Sequence, residues 1–393
     1  MKQKLLALFS FVLILDPSGI LTMGTQNVLF ALLVCYLIFT ERRLRKEGVY
    51  LLIAIYTMVT VTFLLGKVQG FEFNYGFTVF IYRTFVLLIL LFWIDRLKFL
   101  EAIILPTVIV AIISLVIYYI TITRHETDFW MRMWEFSNLP HRTFNISLRT
   151  FLGHDMWGVY YRSAPIMLLP LALYANKVLN KNKRNLKTLL IFLLLSFAIL
   201  FSGTRGLLIS GCGVIAFSFI HKMANSYFWR RSVPFILMIG VCILLFVGMA
   251  LFLLDPTEDS NIVRMGHVES YIALYSSHPL ILFFGQGAGS LFFSIGFGEY
   301  TPQVEWTYVE LLRMFGIPGF ILLLILFLFP AYKIWKQKNN MPLAVPFLIG
   351  YLFYLFNAST NPLLLGSNGL LVLLTAYSFA YNSAYRITKD QLA

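Results

Sequence analysis

The chain has 393 residues, of which 59% are hydrophobic and only 12% charged. A water-soluble domain carries about a quarter of its residues as charges, so lipid rather than water must be the main solvent here. The net charge of +13 would suit nucleic acid in a soluble protein. Here it is sorted by position as a membrane topology signal, and nucleic acid is not an expected partner.

A membrane-crossing helix needs about 20 mostly apolar residues. Twelve such stretches follow one another, at about 4–22, 25–40, 48–66, 76–94, 99–121, 156–176, 187–203, 206–222, 233–254, 316–334, 342–359 and 363–383. The first looks like a signal peptide, but no small-residue cleavage site follows and a second stretch comes at once. It is therefore expected to be a mature helix. An even number of spans puts both termini on one side, and Lys2, Lys4, Arg386 and Lys389 make that side cytoplasmic. The links 41–47, 95–98, 177–187, 221–232 and 333–340 are basic and fall on the same side. Two longer links, 122–155 and 255–315, fall outside and are rich in aromatic residues. Links of that length are usually functional or disordered. These two are expected to fold, with short helices lying at the membrane surface. The expectation is one all-α, polytopic transmembrane domain over residues 1–393. Cys35, Cys212 and Cys242 all lie in apolar stretches and suggest neither a disulfide framework nor a metal cluster.

In this arrangement all but ten of the 31 Lys and Arg residues face the cytoplasm. The ten are Lys67, Arg83, Arg124, Arg132, Arg142, Arg149, Arg162, Arg205, Arg264 and Arg313. Arg83 falls mid-span, where a charge costs about 2.5–3.5 kcal/mol on insertion scales. It should face a protein interior or a wet cavity, and its span carries no carboxylate to neutralise it. Arg162 lies about a turn and a half below the outer surface and invites the same argument. Arg205, in FSGTRGLLISG (201–211), opens a helix after a Ser-Gly-Thr turn. Free N–H groups and a guanidinium together suit a phosphate, whereas an arginine snorkelling to the interface is the plainer alternative.

The second long link holds an amphipathic helix in which Arg264, His267 and Tyr271 share one face. His278-Pro279 ends it, and the glycines of GQGAGS (285–290) make a tight turn that is weak support for phosphate binding. Glu305 opens EWTYVELLRMFGIPGF (305–320). It has the chemistry of a general base, although carboxylates at helix starts are commonly no more than favourable helix charges. HExxH, CxxC and GxSxG motifs are missing, and no metal is expected.

Together, SGTRG, then R-x13-HP-x5-GxG (Arg264, His278-Pro279, Gly285-Gln286-Gly287), then E-x-x-Y-x-x-x-L-x-x-x-G (Glu305, Tyr308, Leu312, Gly316) resemble the bacterial O-antigen polymerase and ligase superfamily. The most diagnostic portion is 200–320. The resemblance implies a GT-C-like glycosyltransferase of the bacterial inner membrane with its active site facing the periplasm. It implies transfer of a glycan from undecaprenyl pyrophosphate to a sugar hydroxyl of a lipid-linked repeat unit, inverting the anomeric centre, without metal or other cofactor. On that reading Arg205 and Arg264 hold the pyrophosphate and Glu305 is the base. Arg83, Arg162, His267, Tyr271, His278 and Tyr308 are expected in the substrate site. The ligase branch carries a His in place of Glu305, so the Wzy-type polymerase branch fits better, and a chain-length regulator is implied as a partner. The alternatives are the ligase, which transfers the glycan to lipid A–core, and a lipid-linked oligosaccharide flippase.

Overall fold

The computed structural model describes residues 1–19, 21–41, 43–124, 127–139, 142–151, 154–180, 185–224 and 259–386. The expected ninth span, 233–254, most of the basic link 221–232 and the Lys389 cue lie outside the described residues. What is described is mostly helical.

The first helices are α1 (Lys2–Leu15), α2 (Thr25–Thr40), α3 (Lys46–Val68), α4 (Tyr75–Phe85, continued as a 3-10 helix over Val86–Arg96) and α5 (Phe99–Arg124). A short helix α6 (Asp128–Asn138) and a hairpin β1 (Phe144–Phe151)–β2 (His154–Tyr161) come next, then a 3-10 turn (Ala164–Met167), α7 (Leu168–Leu179), α8 (Leu186–Leu200) and α9 (Arg205–Ala224). After the undescribed stretch come α10 (Asp259–Ser277), α11 (Ile281–Phe284), a small hairpin β3 (Phe292–Ser294)–β4 (Glu299–Thr301), α12 (Thr307–Lys336), α13 (Ala344–Asn357) and α14 (Ser367–Tyr381). Among the described residues five helices are long and apolar enough to cross a membrane: α3, α4 with its extension, α5, α9 and α12. In lipid no water relieves a bare N–H or C=O, so apolar runs of this length close their hydrogen bonds as helices.

Helix α14 is the post of the bundle. Every residue from Asn368 to Ala380 is buried, as expected of a helix apolar on all faces. It packs against the α4 extension, α5 and α12, while α7 packs against α8, α9 and α13. Side chains lock these contacts: Tyr377 donates to the Leu326 carbonyl at 3.0 Å and Tyr351 to the Phe327 carbonyl at 2.7 Å.

Three expectations need correction. The first helix ends at Leu15 rather than at 22, because Asp16 is buried and accepts from Ser18 Oγ (2.9 Å), Thr22 N (2.7 Å) and Thr22 Oγ1 (2.9 Å). The sixth apolar stretch becomes helical only near Ala164, not at 156. Residues 156–161 are strand, paired Phe144↔Tyr161 through Ile146↔Val159 to Phe151↔His154, and their aromatic and β-branched residues suit a pleated surface. Both long links therefore hold a hairpin beside their helices, and α10 is 19 residues long rather than short.

Helix α12 is broken inside. Gly316 has φ 63°, ψ −179°, and Pro318 follows, so the carbonyls one turn earlier lose their helical donors. The glycine-rich run supplies replacements: Gln286 N–H donates to the Arg313 carbonyl (2.7 Å) and Gly287 N–H to the Met314 carbonyl (2.9 Å). The approach is too close for side chains. A Cβ on Gly316 would lie 2.4 Å from the Phe283 carbonyl oxygen, and one on Gly66 in α3 would lie 2.1 Å from that of Gln286. Replacing Gly66 by Ala should therefore destabilise the protein by about 1–3 kcal/mol, the usual cost of overpacking. It should be read as a lower thermal midpoint in detergent, and an unchanged midpoint would contradict this packing.

Candidate active site

Two of the sequence-singled residues, 41 positions apart, meet. Arg264 of α10 donates from Nε to Glu305 Oε2 at 3.1 Å. Both are partly exposed, with side-chain accessibilities of 24% and 42%. That is the only hydrogen bond Arg264 makes among the described residues, so its two terminal nitrogens keep their N–H groups for another acceptor. Glu305 lies just ahead of α12, whose first residue is Thr307.

The face of α10 that carries Arg264 is held inward by its next two turns. His267 is fully buried, its Nδ1 is 2.9 Å from Ser294 Oγ, and its ring meets Phe297 edge-on at 4.5 Å. Its Nε2 is buried without a partner among the described residues. Burial pushes the His267 pKa down from its ordinary value, with the Glu305 and Glu310 carboxylates opposing and Arg264 assisting. Tyr271 stacks on Phe292 at 5.5 Å and donates to Glu310 Oε1 at 2.6 Å. Burial first, then the neighbouring Glu310 carboxylate, push its pKa well up. His267 and Tyr271 therefore act as supports of the site, buried away from solvent.

Glu310 and Arg313, which sequence reasoning did not assign to the site, form its foundation. Both are fully buried and joined at 2.8 Å through Arg313 Nη2 and Glu310 Oε2. Arg313 also donates to Gln286 Oε1 (2.6 Å), Ser290 Oγ (2.9 Å) and the Pro302 carbonyl (2.8 Å), and its guanidinium lies 4.3 Å from the Phe292 ring centre. The available signal was the i, i+3 Glu–Arg spacing at the start of a helix.

Arg205 opens α9 as expected, after a turn in which Gly203 has φ 66°. Two walls hold that turn. On one side Gly158 of β2 approaches so closely that a Cβ would lie 2.8 Å from Gly203 Cα. On the other, a Cβ on Gly206 would sit 3.1 Å from Asn357 Oδ1 and from Thr360 Oγ1, at the end of α13. The same corner receives the start of α12: Thr307 donates to the Asn361 carbonyl at 2.5 Å and Tyr308 to the Leu355 carbonyl at 2.9 Å. The segment following Asn357 thus joins the Arg205 helix start to the residues just after Glu305. Asn357 itself is buried with neither side-chain amide atom partnered among the described residues. A buried amide asks for partners, and sequence reading had no signal for it.

The remaining sequence candidates lie elsewhere or serve the frame. Arg83 is exposed, not packed in the protein interior, which was one of the two positions expected for it. Thr78, Ile81, Thr84 and Phe85 take the buried side of α4 and leave Arg83 outside. Arg162 is half-buried beyond β2, its backbone N–H bonded to the Thr143 carbonyl at 3.0 Å. Burial and the Arg142 guanidinium both push its pKa down. His278 is exposed, stacked edge-on against Phe71 at 5.6 Å and 2.9 Å from Ser277 Oγ. Tyr308 spends its hydroxyl on α13.

No protein-family model matches the chain, and no curated protein matches it.

Two outcomes follow from the buried groups. Glu310→Ala strands the Arg313 charge and should cost about 3–5 kcal/mol. A Glu310→Met/Arg313→Met double variant should lose less than the single change, and a larger loss in the double variant would refute this account. For His267 the folded pKa is depressed, so below its unfolded value of about 6.5 the unfolded chain takes up a proton that the folded site resists. Stability is therefore present above that value and lost as pH falls toward the folded pKa. Thermal midpoints in detergent should drop from pH 7.5 to about 5.5, and His267→Asn should flatten that dependence.

Proposed function

We propose that this protein is a metal-independent, inverting polysaccharide polymerase of the O-antigen polymerase type. The reading carries with it twelve membrane spans, both termini in the cytoplasm and a site at the periplasmic face of a bacterial inner membrane. Four further apolar helices of 15–17 residues, over Thr25–Thr40, Ala164–Leu179, Leu186–Leu200 and Ala344–Thr360, support a bundle with more spans than the five long ones.

One observation carries the functional reading: Arg264 and Glu305 are in contact through Nε, both partly exposed, with the terminal nitrogens of the guanidinium unbonded among the described residues. Pyrophosphate departure from the anomeric carbon develops negative charge, and fixed guanidinium groups stabilise it more in the transition state than in the ground state. Arg264, with two nitrogens open, grips one phosphate. Arg205, at the N-terminus of α9, adds its charge and the helix's free N–H groups. Glu305 accepts the proton of the acceptor hydroxyl as that oxygen bonds to the anomeric carbon from the face opposite the leaving group. The carbon–oxygen bond to the pyrophosphate breaks, and undecaprenyl pyrophosphate leaves with both electrons. His267, Tyr271, Glu310 and Arg313 position these groups.

The test uses purified protein in detergent, a synthetic undecaprenyl-pyrophosphate repeat unit and EDTA, with products resolved as a ladder on a gel. Wild type should polymerise. Glu305→Gln should lose about 100-fold or more, the usual scale of general-base catalysis, and Arg205→Ala and Arg264→Ala should also fail while remaining folded. Normal ladders from these variants would sink the assignment. Transfer only when lipid A–core is supplied would mark a ligase instead.

A further inference from the structure

The opposite end of the bundle holds a cavity that this chemistry does not use. Helix α3 begins at Lys46 and α12 ends at Lys336, so Arg45 and Lys333 lie at the far end from Glu305. A cavity of about 210 Å3 opens between α3, the extension of α4, α12 and α14. Its walls are apolar, with Leu51, Leu91, Leu326 and Phe329 among them, and its mouth carries Arg45, Glu47 and Tyr381. Phe329 and Ile325, on the outer flank of α12, are exposed, so the cavity opens sideways toward the surface that lipid would cover.

The mouth is cationic in a particular way. The Arg45 guanidinium lies 3.9 Å, and the Lys333 ammonium 3.7 Å, from the centre of the same Tyr381 ring. An aromatic face attracts cations without neutralising them. Lys333 makes no ion pair among the described residues, while Arg45 has only Glu47 at 3.6 Å, whose side chain is 73% exposed. A soluble anion would leave the apolar walls unfilled, and a neutral lipid would leave two cations sharing the single, largely exposed carboxylate of Glu47, one positive charge in excess. A molecule with an acyl chain and an anionic headgroup satisfies both, and basic pockets between helices at a cytoplasmic surface are suited to such headgroups.

We propose that this cavity is a binding site for an anionic phospholipid, its acyl chain between α3 and α12 and its phosphate at Arg45 and Lys333. The site shares the membrane topology of the polymerase reading but none of its chemistry, so the two are tested separately.

The test is native mass spectrometry of the full-length protein in detergent with equal amounts of phosphatidylglycerol and phosphatidylcholine of the same chains. Wild type should retain one phosphatidylglycerol in preference to phosphatidylcholine. Lys333→Gln and Arg45→Ala should each lower that preference about fivefold, equivalent to about 1 kcal/mol per cation near a charged surface. Leu51→Trp, which fills the cavity, should lower retention of both lipids. Excess inorganic phosphate should not displace the lipid, and displacement would mean a simple anion site. Equal retention of the two lipids by wild type would overturn the proposal. So would an unchanged preference in Lys333→Gln, which removes a half-buried surface charge and keeps the fold, as a thermal midpoint in the same detergent checks.

Discussion

The buried guanidinium of Arg313 is the constraint on which the rest of this end of the molecule depends. A guanidinium has five N–H donors in a rigid fork, and taking it out of water unpaired is prohibitively costly. Its partners come from separate parts of the chain: Glu310 on its own helix, Gln286 and Ser290 on the glycine-rich run, and Pro302 after the second hairpin. Tyr271 brings in α10 by donating to Glu310. Satisfying one side chain therefore fixes the mutual positions of α10, the glycine run, the hairpin and α12. Arg264 and Glu305 sit on the outer edge of that assembly, one on α10 and one at the entry to α12. Their contact is a consequence of the bonds beneath them more than of their own attraction, which for a partly exposed pair is small.

The break in α12 follows from the same docking. A helix interrupted in an apolar bundle must find new partners for its freed carbonyls, and here they are the N–H groups of Gln286 and Gly287. The exchange requires backbone against backbone. Hence glycine stands on both sides, at Gly285 and Gly316, where a Cβ on Gly285 would lie 2.5 Å from the Met314 oxygen. The glycines of the sequence motif are thus an interlock between two segments of chain. A phosphate cradle would have left those N–H groups free.

Much of this was legible in the sequence, and the failures have identifiable causes. The helix-forming stretches and the shared face of Arg264, His267 and Tyr271 follow from apolar periodicity. Residues 156–161 read as the start of a span because MWGVYY runs without interruption into apolar sequence, and a short apolar run does not distinguish strand from buried helix. The stop at Leu15 was foreshadowed by Asp16-Pro17, a pair that ends helices, but it was absorbed into a long hydrophobic window. The depth of Arg83 in its apolar stretch asks for a protein interior or a wet cavity, but depth does not say which face of the helix a residue takes. The i, i+3 spacing hints at a Glu310–Arg313 pair, but the network it anchors joins segments distant in sequence, and the local spacing does not reveal that.

The two Arg–Glu pairs near this end differ in what they leave unbonded. Arg313 has all its nitrogens engaged and no exposure, so nothing remains with which to bind a further group. Arg264 makes one bond through Nε and presents its other two nitrogens at a partly open surface. The geometry that suits a guanidinium to two oxygens of a phosphate is the pair of terminal N–H groups, and those are the ones left over. Arg264 thus has two nitrogens unbonded beside a carboxylate, while the segment that receives Thr307, just after Glu305, also packs against Gly206, next to Arg205.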